Sequence, residues 1–175
     1  MVLLNSSEIS LGTKLQDFNL PDTISGTNYS NSDLTKDLVV IAFICNHCPY
    51  VIRIIKDFSK LAQELNPSVQ FVTISANDPN YRQEDSPENM KIFASEHNFS
   101  FPYLYDESQA VAKAFGAVCT PDIYAYKKHP DGYKLAYHAR FEDLKKALNE
   151  LLTQDQLSFE PVTSAGCSIK WKQET

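Results

Sequence analysis

The chain has no cluster of lysine and arginine, and its 16 basic residues are outnumbered by 22 acidic ones, for a formal net charge of −6. Without a basic patch, sequence-independent binding to nucleic acid has no electrostatic basis. Long apolar runs are missing too. The longest, Leu38 to Cys45, falls far short of the ~20 residues that carry a helix across a bilayer, so no membrane partner is expected. Met1–Leu4 is apolar, but Asn5–Glu8 follows at once, with neither a basic start nor an extended apolar segment. No secretory leader is read there, and the cytoplasm is the expected compartment. Cysteine is scarce, four in 175 residues, which excludes a disulfide scaffold of the small secreted kind. Internal repeats and low-complexity linkers are absent. What is present, 43% apolar and 22% charged residues, suits one domain over residues 1–175 with a real hydrophobic core.

Two of the four cysteines, Cys45 and Cys48, stand three apart in Cys-Asn-His-Cys, directly after the apolar run. That run is continuous and β-branched, the pattern of a strand buried on both faces. From residue 51 the period changes. Val51, Ile54, Ile55, Phe58, Leu61, Ala62 and Leu65 share a helical face, and Pro67 ends it. Val69–Ser75 reads as a second strand, and Ser86-Pro87-Glu88 as a helix start with cap residue then proline. A short strand is expected at Tyr103–Tyr105, then a helix from about Ser108 to Phe115 with Gly116 as its stop. Asp122–Tyr126 and Lys134–His138 read as a hairpin through Pro130-Asp131-Gly132. A last helix carries Leu144, Ala147, Leu148, Leu151 and Leu152. The first ~35 residues, with turns at Pro21-Asp22 and Ser25-Gly26, look like an added β-hairpin. Residues 153–175 look like a polar tail packed on the surface. The fold class is α/β, a mixed central sheet flanked by helices.

A motif placed between a buried strand and a helix start lies where unpaired backbone N–H groups and the helix dipole stabilise an anion. A thiolate there is both a better nucleophile and a better leaving group. His47, when protonated, adds a positive charge that works in the same direction. Cys45, nearer the strand, is expected to be the exposed attacker, and Cys48, one turn in, the resolving thiol. Asn46 completes the loop.

The stretches FICNHCPYV (43–51), ISANDPNY (74–81), EDSPENM (84–90), FPYLYDESQAVAKAFGAVCTPD (101–122), GCSIKWK (166–172) and LQDFNLPD (15–22) cover most of the chain. They resemble the peroxiredoxin-like branch of the thioredoxin superfamily, the redoxins also called alkyl-hydroperoxide-reductase/thiol-specific-antioxidant-like. The resemblance implies a thioredoxin-like fold with an N-terminal extension and a thiol-based oxidoreductase or antioxidant role. It also implies that Pro121, in Cys119-Thr120-Pro121-Asp122, opens its strand in cis and lies against the first cysteine. Thr120 would then offer backbone groups to an extended substrate. The partners implied are protein disulfides or a reducing thioredoxin-type system, with hydroperoxide as an alternative substrate. No cofactor is implied.

Three chemistries compete. Peroxiredoxins use Pro-x-x-x-Thr/Ser-x-x-Cys; with Cys48 as the reactive residue, the hydroxyl position is Cys45 and the proline position Ile41, so two motif positions are lost. Disulfide exchange fits better, although Val39 stands where thioredoxins carry a buried carboxylate. Thiol-dependent peroxidase chemistry remains the alternative, with Arg140 as the candidate peroxide-holding residue. The third reading is a non-catalytic metal-binding or redox-sensing module, with Cys45 and Cys48 a zinc half-site completed by His47, Cys119 or Cys167. A second close cysteine pair, usual for structural zinc, is lacking, so no metal is expected. Cys119 reads as a small buried residue beside the site, and Cys167 as a candidate third redox thiol or a packed tail residue. Trp171 is expected to anchor the tail.

Overall fold

The computed structural model describes residues 2–173. Three short strands come first, β1 (Leu3–Asn5), β2 (Asn19–Pro21) and β3 (Asn28–Ser30). The last two pair antiparallel as the expected N-terminal hairpin. The apolar run forms β4 (Leu38–Phe43), fully buried and ending two residues before Cys45. Helix α1 (Pro49–Leu65) follows, then β5 (Val69–Ser75), α2 (Pro87–Glu96), β6 (Tyr103–Tyr105) and α3 (Ala110–Phe115). The remaining elements are β7 (Cys119–Thr120), β8 (Asp122–His129), β9 (Gly132–His138), α4 (Leu144–Leu151) and β10 (Ala165–Ser168).

The central sheet has the order β6-β5-β4-β8-β9, with β4 parallel to β5 and antiparallel to β8. Because side chains alternate across a strand, β4 feeds two cores. Val40 and Ala42 pack with Val51, Ile55 and Phe58 of α1 and Leu148 of α4. Val39, Ile41 and Phe43 pack on the other side with Phe18, Ala112, Phe115 and Tyr124. Each large apolar side chain buried this way contributes about 1.5–3 kcal/mol, which accounts for β4 lying at the centre.

Helix α1 begins two residues earlier than its apolar period suggests. Pro49 occupies the first helical position, where its missing N–H has no partner to lose. Helix α2 starts as its sequence requires, with the Ser86 side chain accepting from the Asn89 N–H. Gly116 stops α3 at φ +73°, a left-handed conformation open to glycine.

The tail departs from expectation. Its segment β10 is no surface appendage but the middle strand of a second sheet, ordered β1-β10-β7 and antiparallel throughout. Gly166, Cys167 and Ile169 are buried. Four residues are too few to print a period, and both partners of β10 are remote in sequence, so local pattern carries no sign of the pairing. Trp171 does pack partly against the core, with the Lys113 ammonium 5.7 Å from its ring. Among the described residues, no helix is long and apolar enough to cross a membrane.

Candidate functional site

Residues 44–48 leave the end of β4 and turn into α1, and Cys48 itself is the N-cap of that helix. The anion-stabilising position at the first turn therefore belongs to Cys48, not Cys45. Cys45 lies upstream, and both cysteines are completely buried. The expected geometry, an exposed Cys45 with Cys48 one turn into the helix, is not what the chain adopts. The reason is the start of α1: Pro49 sets it, and only the residue before the proline can cap it.

The Thr120–Pro121 peptide bond is cis, and Thr120 meets both motif cysteines. Its Oγ1 lies 3.4 Å from Cys45 Sγ, and its carbonyl 3.3 Å from Cys48 Sγ. Cys167 Sγ approaches Cys48 Sγ to 2.7 Å. In the thiol form Cys48 donates to the Thr120 carbonyl; in the thiolate form it accepts from its sulfur neighbours. The hydrogen bond from Cys45 does most to hold the Cys48 pKa well below the ordinary thiol range, against the effect of burial. Cys167 and the Val51 N–H of the first turn add to it. The same bond raises Cys45, since Cys45 is the donor, and burial and the charge of Asp85 push it further up. The pair thus divides into one ionisable sulfur and one proton-holding sulfur.

Asp85 is fully buried and shapes the motif loop. Its Oδ1 accepts from the backbone N–H of Asn46 at 2.8 Å and of His47 at 3.3 Å. Its Oδ2 accepts from His47 Nδ1 at 2.5 Å and from Asn77 Nδ2 at 2.9 Å. Burial pulls this carboxyl upward, but the bonds from His47 and Asn77 outweigh it, and the pKa lies below the usual carboxylate value. His47 is thus turned towards Asp85, so any positive charge it carries is matched by a carboxylate rather than directed at the thiols. Asn46 donates to the Glu84 carbonyl at 2.6 Å and accepts from the Tyr103 hydroxyl at 2.9 Å. Asn77 also accepts from the Lys170 N–H at 3.0 Å, tying this network to the tail.

Asp85, Asn77 and Tyr103 lie in stretches that carry the resemblance, but no motif among those residues marks them as part of the site. A buried acid between exposed Glu84 and half-buried Ser86 in a polar segment has no local signature.

Cys119 is buried with its Sγ 3.6 Å from Ser6 Oγ. Burial and the Asp122 carboxylate push its thiol up to about 12, so it remains protonated. A zinc half-site of Cys45 and Cys48 completed by His47, Cys119 or Cys167 is not gathered among the described residues. Among the described residues the one compatible triple is Cys45, His47 and Asp85, with ligand atoms within 4.8 Å of one another. Its histidine and carboxylate are already bonded to each other. Arg140 pairs with Asp143 at 2.9 Å.

The sheet order, the cis proline beside a cysteine at a helix N-terminus, and the N-terminal hairpin define a thioredoxin-like fold. The family model described as AhpC/TSA matches residues 11–141, and the chain belongs to that family. An uncharacterized conserved protein from Geobacillus kaustophilus is 38% identical, with TM-score 0.94 and 100% of this chain and 99% of that one covered. A hypothetical protein from Sinorhizobium meliloti 1021 is 32% identical, with TM-score 0.92 over 97% and 99%. A secreted Mycobacterium tuberculosis disulfide oxidoreductase, described as homologous to E. coli DsbE, shares the fold at 20% identity, with TM-score 0.60 over 75% and 94%. No curated protein matches the sequence.

Proposed function

We propose that the chain is a thiol–disulfide oxidoreductase in which Cys48 is the nucleophile. The observation that carries this reading is the position of Cys48 as N-cap of α1, its sulfur 3.3 Å from the Thr120 carbonyl beside the cis Thr120–Pro121 bond. The Cys48 thiolate attacks one sulfur of a client disulfide; the new bond joins Cys48 to that sulfur, and the other client sulfur leaves as a thiolate that takes up a proton. Cys45 then gives up its proton and attacks Cys48 Sγ. The second client thiol is released, and a Cys45–Cys48 disulfide holds the oxidising equivalents, two electrons having passed to the client. The fold shared with the mycobacterial disulfide oxidoreductase supports protein disulfides as clients.

Exchange is favoured over peroxide reduction because Arg140 is engaged by Asp143 and the nearest threonine hydroxyl, Thr120 Oγ1, is turned to Cys45. The test is reduction of insulin disulfides by dithiothreitol with the protein as catalyst, alongside peroxide consumption. Cys48→Ser is expected to abolish insulin reduction, and Cys45→Ser to abolish the Cys45–Cys48 disulfide found by mass mapping after oxidation. Turnover persisting in Cys48→Ser would reject the assignment.

A further inference from the structure

In a fold of this kind the free edge of the strand entering the cis proline is where an extended client can pair by β-augmentation. Here that edge is taken. Strand β10 lies antiparallel on β7, with Cys167 opposite Thr120 and Ser168 opposite Cys119. The tail therefore brings a sulfur of its own to the place a client sulfur would occupy, 2.7 Å from Cys48 Sγ, where a bonded pair sits at about 2.05 Å. Gly166 makes the approach possible: a Cβ there would stand 1.9 Å from the Thr120 carbonyl oxygen. One turn into α1 from Cys48 stands Val51, buried in the core, so the helix supplies no second thiol and any partner must come from outside it.

We propose that β10 is a built-in substrate strand and Cys167 a second resolving thiol, which closes a Cys48–Cys167 disulfide after Cys48 has attacked a client. This rests on Cys48 being the exchanging thiol. In the resolving step the Cys167 sulfur attacks Cys48 Sγ in the mixed disulfide; the Cys48–client bond breaks, and the client leaves as a thiol with the proton Cys167 gives up. An external dithiol then reduces the Cys48–Cys167 bond and is itself oxidised to a disulfide. Burial and the neighbouring Cys48 favour the protonated Cys167, while the Lys170 charge works the other way and eases its ionisation. Lys170 is held in place by its ammonium bonds to the Ser168 carbonyl at 2.7 Å and hydroxyl at 2.9 Å.

The test uses the reduced full chain, oxidised glutathione as the client, rapid alkylation and mass mapping of linked peptides. Wild type and Cys45→Ser should both yield the Cys48–Cys167 link, and Cys45→Ser/Cys167→Ser should accumulate Cys48 carrying glutathione. Gly166→Ala, which moves β10 away from Thr120, should slow the link by about a hundredfold, the scale of a 1 Å misplacement, with circular dichroism unchanged. Cys45→Ser that accumulates Cys48–glutathione with no link to Cys167 overturns the role of β10 while leaving exchange at Cys48 intact. Absence of glutathione from Cys48 in the double variant overturns both.

Discussion

Two buried carboxylates flank the site, Asp85 before α2 and Asp122 at the start of β8, and each holds a histidine. Asp122 accepts from Ser6 Oγ at 2.7 Å, from the Tyr124 hydroxyl at 2.8 Å and from His138 Nε2 at 2.7 Å. All its partners are side chains, and they join the segment after β1 to β8 and β9. Asp85 also takes two backbone N–H groups, from Asn46 and His47, and so determines the path of the main chain between the two motif cysteines. A carboxylate bonded to side chains fastens elements together; one bonded to backbone amides shapes a loop. Of the two, Asp85 is the one bonded within the loop that joins the motif cysteines.

That contrast can be broken most directly at Asp85. Asp85→Ala leaves two amides, an imidazole and Asn77 without their acceptor, and should cost about 3–5 kcal/mol in urea unfolding along with exchange activity. Asp122→Asn should cost less, about 1–3 kcal/mol, and leave the ultraviolet absorbance of the Cys48 thiolate at neutral pH in place. Equal loss of thiolate absorbance in the two variants would erase the distinction. Cys48→Ala should remove that absorbance and Cys119→Ala should not, since one thiol is held well below and the other well above its ordinary value.

Acid should sharpen the comparison further. The folded pKa of Asp85 is depressed, so its stabilisation is complete above the unfolded carboxylate value and is lost as pH falls below about 4 through the lower folded value. Urea midpoints across that range should fall more steeply for wild type than for Asp85→Asn. The smallest effect is expected at Ser86, whose hydroxyl caps α2 next to Asp85. Ser86→Ala should cost about 1 kcal/mol with little change at the thiols.

Much of the architecture could be read in advance. The all-apolar segment at 38–43, the 3.6-residue period from Val51 and the Ser86-Pro87 start each name their element, because strand burial, helix amphipathicity and capping act between residues a few positions apart. The thiol motif was visible for the same reason, but which of its cysteines stands at the helix start was not. Which cysteine caps α1 depends on the residue at which the helix begins, and apolar periodicity misses that by the two residues that separate Val51 from Pro49. Arg140 pairs with Asp143 only three residues on, a contact within the same turn.

The amino-acid order alone determined the central sheet, its helices and the placing of two close cysteines between strand and helix, all consequences of short-range spacing and of apolar side chains leaving water. Only the folded chain decided that Asp85 would shape the loop and that Cys167 would reach the Cys48 sulfur beside β7. Those contacts join residues 38 to 119 positions apart, and no local pattern encodes a partner so remote. They form once two cores have packed and Gly166 can pass close to the Thr120 carbonyl.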